Sequence, residues 1–570
     1  MVKGKESSHS PKIRRGEAGW GWAVGAGLVA AAYSLTLRRY GIELADEGAL
    51  LAHMDRVAHG QVPYRDFHVG YGPALYWLHV PVFAWWGVSI GTVRSGLAIV
   101  HGVRSALTAR LAGTFGGRGW ATVAVVLLIG FFLPVAPGIC APGNVPYPAW
   151  YADALGLIAI LLLGRQQAPV LLVGVLWGIV FAFKQNTGVL GLGAAAVTIV
   201  LAGRTEEGAG RGIGGAIALA LLAGVALLLH EFLDVLLVAV FVVPLLPLAA
   251  ALVRARNGTG VATDLIRLGA GFALVAGGVV AVMVAQAGAA AVVADLLQIG
   301  TDTVRVYYAG HPTLADLTSQ LGGTDTVRAI RMGADAAWFA IFPLSHLAAT
   351  TLVASGRVRS RPAIAVVAAA ALGYLELFPR MDFWHLLPLA SASLVAMTIV
   401  AAALEPWVAR VLAVLLAIVG LGRFAPSLPV IAASLGQAPS PPPITRVDVR
   451  WDLLRDEALR RFPEVVEAVR TRHGVAGFPA LGLVNFAIGE PSPWRHDYFF
   501  PGRPAADEEQ ALVAATTQHP PEAVVVLDAP VGPFKDAAVA HPAIVSMLDR
   551  SFVELRRIGP YRILVPRRAP

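Results

Sequence analysis

Charged residues are scarce in this chain of 570 residues, and cysteine is almost missing. Asp, Glu, Lys and Arg make up 14% of the sequence, hydrophobic residues make up 56%, and the mean hydropathy is +0.64. Soluble domains carry about 25% charged residues, so a soluble globular protein is excluded and a polytopic membrane protein is expected. The single cysteine, Cys140, excludes an intramolecular disulfide and a cysteine-cluster metal site. There is no Walker-type phosphate loop, no HExxH and no paired-cysteine zinc signature, which leaves a soluble nucleotide-sugar mechanism unsupported. No repeat at solenoid periods occurs. No convincing small-residue cleavage site follows the first apolar run, which therefore reads as an uncleaved first helix rather than a signal peptide.

The net charge of +8 does not point to nucleic acid. The basic residues are scattered through a terminal arm, short loops between apolar runs and the tail, a distribution that the positive-inside rule explains. Residues 1–19, with Lys3, Lys5, Lys12, Arg14 and Arg15, form a basic arm expected in the cytoplasm. Spans of roughly 17 to 25 residues are expected near 20–37, 93–113, 120–139, 148–164, 168–184, 188–203, 213–230, 234–253, 266–286, 334–355, 362–378, 385–404 and 407–423, about thirteen in all. Arg204, Arg211, Arg254, Arg256, Arg357, Arg359 and Arg361 then fall on the cytoplasmic side. Arg104, Arg110 and Arg118 join them if one crossing separates them from the first loop. The stretch 74–86 is short and rich in Tyr and Trp, and reads as a membrane-surface or re-entrant helix.

The expected fold is mainly α: a transmembrane helical bundle over 20–423 with a first external loop at 38–92, a proline-rich linker at 424–445 that includes Pro439 and residues 441–443, and an external soluble α/β domain over 446–570. In that domain helix is expected over 463–472 and 507–517, strand over 481–486 and 523–527, and a hairpin of 552–557 with 561–566 turning at Gly559-Pro560.

The first loop holds the densest chemistry. Asp46 and Glu47 open a segment whose Leu50, Met54 and Val57 recur at helical spacing before Gly60 stops it, which predicts a short amphipathic helix on the membrane surface. The carboxylates sit at its N-terminus, where an acid serves either as a cap or as a reactive group beside free N–H groups. Two adjacent carboxylates on a helix point roughly 100° apart, so only one should face a cleft.

The run 43–87, with Asp46-Glu47-Gly48, Gly60, Val62-Pro63-Tyr64-Arg65-Asp66-Phe67, Tyr71-Gly72-Pro73 and an aromatic tail at 76–86, resembles the GT-C superfamily of integral-membrane glycosyltransferases. The nearer relatives are polyprenyl-phosphate-sugar enzymes such as protein O-mannosyltransferases and the aminoarabinose transferase of lipid A. The resemblance implies that Asp46 matches the catalytic carboxylate of the first external loop, with Glu47 in reserve. It implies a polyprenyl-phosphate-linked sugar as donor and a lipid, glycan or protein hydroxyl as acceptor, at the outer side of a bacterial-type plasma membrane. Members vary in metal use, so no cofactor is certain and a divalent cation stays open.

Transfer of this kind needs a base for the acceptor hydroxyl and positive charge on the departing phosphate. Arg380 and Lys184, at the edges of spans, are the candidate cations, and simple snorkelling is the plain alternative. Arg380, Asp382 and His385 form an Arg-x-Asp-x-x-His pattern similar to a loop motif in the superfamily; His385 either bonds phosphate or metal or is satisfied locally. Tyr64, Arg65 and Asp66 either shape the substrate pocket or pin the loop. Arg305, Tyr307 and Tyr308, in a long connection over 298–331 with Asp302 and His311, either cover the donor or form a plain connection. Residues 494–503 either touch glycan or lipid or pack on the membrane part. A transporter and an envelope assembly protein are the rival classes, although no paired broken-helix repeat typical of transporters is evident.

Overall fold

The computed structural model describes residues 19–136, 138–204, 212–232, 234–297, 326–425, 427–436, 444–529 and 537–567. The expectations for residues 1–18, for Arg211, for Asp302, Arg305, Tyr307, Tyr308 and His311, and for the prolines at 439 and 441–443 lie outside the described residues.

Helix α1 is Trp20–Leu37, α2 Asp46–Ala58, α3 Ala74–Trp86, α4 Ile90–Gly130, α5 Pro148–Leu163, α6 Val170–Phe183, α7 Gln185–Ala202 and α8 Gly212–Leu229. A run with a π turn, Val235–Arg254, is α9. It is followed by α10 Gly260–Ala287, α11 Thr326–Ala354, α12 Arg361–Gly373, α13 Phe383–Ala402, α14 Pro406–Phe424 and α15 Ser427–Leu435. Among the described residues nine helices are long and apolar enough to cross a membrane, and α5 and α6 are shorter apolar helices. Small residues let the helices close up: a Cβ on Gly174 of α6 would lie 2.1 Å from Leu268 O of α10, and one on Gly271 would lie 2.1 Å from Leu171 O.

Helix α4 covers two expected spans, 93–113 and 120–139. Gly117 leaves the helix with φ 71°, a conformation glycine adopts without a Cβ penalty, and divides it into two arms. The second arm stops at Gly130. Arg104, expected near the cytoplasmic end, is instead fully buried in the first arm, where it pairs with Asp153 and donates to Leu387 O at 2.9 Å. Its carboxylate partner is what allows a guanidinium at that depth. Helix α3 has 13 residues, about 20 Å at 1.5 Å per residue, against a hydrocarbon core of about 30 Å. Trp85 and Trp86 stand exposed at its end.

After α15 come α16 Glu457–Val469, β1 Val475–Phe478, α17 Gly482–Ile488, α18 Ala506–Gln518, β2 Ala523–Leu527, α19 Pro542–Ser551, β3 Phe552–Ile558 and β4 Tyr561–Pro566. The sheet order is β1-β2-β4-β3, with β1 parallel to β2 and the other pairs antiparallel. The hairpin, the strand at 523–527 and the helix over 507–517 stand where the sequence places them. The expected helix over 463–472 begins earlier, because Asp456 caps it by accepting from Leu459 N at 3.1 Å. The expected strand over 481–486 is a correction: these residues form α17. Every residue of 482–487 is buried, so neither period shows in the apolar run, and short runs of this kind do not separate strand from helix.

One face of the sheet (Val475, Val525, Ile563) joins an apolar core that is continuous with the membrane helices. The other face (Phe478, Val524, Val526) packs on Ile544, Met547, Leu548 and Trp494 as a separate core.

Candidate active site

The site forms where the first loop meets the loop between α4 and α5. Gly41 has φ 71°, and a Cβ there would lie 2.4 Å from Cys140 Cα, so this close crossing requires glycine. Ile42 N donates to Ile139 O at 3.0 Å, and Asn144 Nδ2 donates to Leu37 O at 2.8 Å and Tyr40 O at 3.1 Å. These bonds carry Tyr147, just ahead of α5, to the start of α2, where its hydroxyl donates to Asp46 Oδ2 at 2.6 Å. Asp46 is half-buried. Among the described residues its Oδ1 accepts no hydrogen bond.

The neighbouring acids are differently placed. Glu43 accepts from the backbone N–H groups of Ala45, Asp46 and Glu47, so it caps the free end of α2 that the sequence offers to Asp46. Burial and the Asp46 charge push its carboxyl above the usual range. Glu47 is 1% exposed and is held by Arg94 through two bonds of 2.8 Å. Arg94 also donates to the carbonyls of Arg38 and Gly41, so Glu47 belongs to the frame of the loop.

Tyr71 senses the charges of both Asp46 and the expected cation. Burial, then the Asp46 charge, raise its hydroxyl pKa, and the Arg380 charge opposes them, which puts both groups within electrostatic reach of one ring. Arg380 Nε lies 2.7 Å from Asp382 Oδ2, and Asp382 Oδ1 bonds His385 Nδ1 at 2.8 Å. Burial pushes Asp382 up, but the bonds and charge from His385 and the charge of Arg380 outweigh it and hold the carboxyl below its ordinary value. His385 is thereby satisfied within the trio. Lys184 Nζ sits 2.6 Å from the buried Glu376, at the non-helical break between α6 and α7. Beside it Gln185 Nε2 donates to Gly70 O at 3.1 Å, so this junction shares the face of Asp46.

Tyr64 has φ 69°, and its hydroxyl donates to Tyr71 O at 2.8 Å. The Arg65 guanidinium donates to both oxygens of Asp66 at 2.9 Å, and Asp66 Oδ2 accepts from Val62 N at 2.7 Å. The three residues therefore shape and pin the loop. Arg305 and Tyr307 lie outside the described residues. Among those described, no group of three or more His, Cys, Asp or Glu could hold a metal ion.

Helix α2 is buried over most of its length; it is not the surface-lying helix expected, because the C-terminal part covers it. Arg56 donates to Asp497 at 2.6 Å, Trp494 O at 2.9 Å and Ser492 O at 3.2 Å. Arg495 reaches Tyr64 O and Asp295, each at 2.9 Å. The 494–503 stretch thus packs on the first loop. Tyr147, Arg94 and Glu43 are site-forming residues whose roles sequence reasoning missed, whereas Arg495 belongs to the 494–503 stretch it singled out; an arginine inside an apolar run was the available signal for Arg94.

No protein-family profile matches the chain, and no curated protein matches it in sequence. Solved structures do match in fold. The crystal structure of ArnT from Cupriavidus metallidurans bound to undecaprenyl phosphate aligns with a TM-score of 0.52 at 12% identity, over 97% of this chain and 99% of that one. The apo structure of the same protein aligns with a TM-score of 0.50 at 12% identity, over 95% and 97%. The chain has the fold of ArnT. The match runs through the C-terminal α/β part as well as the helical bundle, since it takes in nearly all of both chains.

Proposed function

We propose that this protein is a membrane glycosyltransferase that moves a sugar from a polyprenyl-phosphate donor to an acceptor hydroxyl at the outer face of a bacterial-type membrane. The observation that carries the proposal is the half-buried Asp46 carboxylate at the head of α2, with the Tyr147 hydroxyl on one oxygen and, among the described residues, no hydrogen bond on the other. The fold likeness to a protein crystallised with undecaprenyl phosphate supports the choice of donor.

In this mechanism Asp46 Oδ1 takes the proton of the acceptor hydroxyl as its oxygen attacks the anomeric carbon. The bond from that carbon to the phosphate oxygen breaks, and its electron pair leaves on the lipid phosphate, which needs no proton. Arg380 meets the developing charge. A single direct displacement inverts the anomeric centre. Lys184 is assigned to the wall rather than to the phosphate, since its partner Glu376 is buried, whereas the Arg380–Asp382 pair is partly open. Glu47 is assigned to the frame, since both of its oxygens are taken by Arg94.

The test is transfer by purified protein from a polyprenyl-phosphate sugar. Asp46→Asn should lose at least about a thousandfold in rate, the scale of a lost general base, with the melting temperature unchanged. Full activity in that variant would remove Asp46 as the base.

A further inference from the structure

A second polar cluster lies at the opposite end of the bundle from Asp46. Helix α7 begins beside the site, where Gln185 bonds Gly70 O, and its 18 residues rise about 27 Å to Arg204. Helix α12 packs against α7 and runs the other way, from Arg361 toward Glu376, the partner of Lys184. The start of α10 closes the corner: Asn257 pairs with Arg204 in an isolated backbone bridge, and a Cβ on Gly203 would touch Val261 at 2.6 Å.

Three arginines from two connections stand at this end: Arg204 after α7, and Arg359 and Arg361 at the start of α12. Burial, then the like charge of Arg359, disfavour the charged form of Arg204. Arg361 feels the charge of Asp264, but that carboxylate lies 3.8 Å from Arg267 on its own helix. The positive-inside rule explains exposed arginines at this face. It does not explain Asn257, which is 5% exposed, or Arg361: among the described residues neither amide atom of Asn257 and neither buried Nε nor Nη2 of Arg361 has a hydrogen-bond partner. Buried polar atoms are normally paired, and here the unpaired N–H groups of Asn257 and Arg361 stand at the same end of three packed helices, α7, α10 and α12.

We propose that this corner binds a phosphate group, of the kind carried by an anionic phospholipid headgroup in the membrane leaflet opposite the Asp46 site. Guanidinium forks and an amide N–H₂ suit phosphate oxygens, and basic pockets between membrane helices on the cytoplasmic side take such headgroups. The site is separate from the transfer chemistry and does not depend on it.

The test uses the full chain in phosphatidylcholine nanodiscs, read by melting temperature and by lipid retained in native mass spectrometry. Phosphatidylglycerol should raise the melting temperature and remain bound as one retained copy. The double variant Arg204→Gln/Arg361→Gln and the isosteric Asn257→Asp should each weaken the effect about tenfold, roughly the loss of one charge-assisted bond, whereas Arg254→Gln should not. A parallel titration with inorganic phosphate separates the sources: an equal shift supports a free-phosphate site, and a shift with lipid alone supports a headgroup site. No shift with either ligand, or an undiminished shift in both variants, overturns the proposal.

Discussion

Arg94 grips Glu47 with Nε on Oε1 and Nη2 on Oε2, both at 2.8 Å, while the adjacent Asp46 turns to Tyr147. Two neighbouring acids on one helix end are thus divided between frame and chemistry. Removing one member of a buried ion pair costs about 3–5 kcal/mol, because the other is left charged and unpaired. Arg94→Met should therefore lower stability by about that much. The double variant Arg94→Met/Glu47→Leu should recover part of the loss in denaturant melts of the purified protein. Additive losses would show that the two side chains do not act as a pair.

Tyr147 is the direct neighbour of the proposed base. Burial, then the Asp46 charge, keep its hydroxyl protonated, so it remains a donor at every working pH. Tyr147→Phe removes one bond to the carboxylate and leaves the ring packing. Transfer should slow about tenfold, near the worth of one hydrogen bond to a charged group, with little change in the melting temperature. An unchanged rate would separate Tyr147 from catalysis.

What the sequence disclosed follows from range. The first loop, its acids and the Arg380-Asp382-His385 trio are local patterns, and apolar runs mark their helices directly. The partners that decide roles are distant: Tyr147 is 101 residues from Asp46, Arg94 is 47 from Glu47, and Glu376 is 192 from Lys184. Helical spacing carries no information about such pairs. The same limit explains α2, whose amphipathic pattern predicts a surface helix but cannot register a cover arriving from residue 446 onward. It explains α17 too, where burial on all sides erased the period.

That cover is held by buried histidines, which gives it a pH dependence. His53 lies 3.4 Å from Asp497, and His496 stacks on His68 with Arg495, Arg503 and His541 around it. Burial and these cations hold His496 well below its ordinary 6.5, and burial lowers His53 as well. As pH falls below about 6.5 the unfolded chain gains protons that the folded chain refuses, so stability drops through that window. Burial pushes Asp497 up, but Arg56 and His53 outweigh it and hold the carboxyl below 3.8, so its own loss comes only in stronger acid. The melting temperature should fall by several degrees from pH 7.5 to 5.5, and His496→Gln should flatten that slope. An equal slope in the variant would place the titration elsewhere.

The dock between α2 and α17 depends on two glycines. A Cβ on Gly48 would lie 2.9 Å from Leu483 Cβ and 3.0 Å from Leu483 N, and one on Gly482 would lie 3.1 Å from Gly48 O. The obstacles are backbone and a first side-chain carbon, which cannot swing aside, so any larger residue must push the helices apart. Overpacking of this kind costs about 1–3 kcal/mol. Gly48→Val should therefore loosen the C-terminal part from the first loop and speed its release by protease. Because Gly48 stands two residues from Asp46, transfer should fall with it. Gly224→Val, in α8 where a Cβ meets nothing within 4 Å, should leave both unchanged. If Gly48→Val resists protease as the parent does, the two helices do not form the hinge on which the cover is seated.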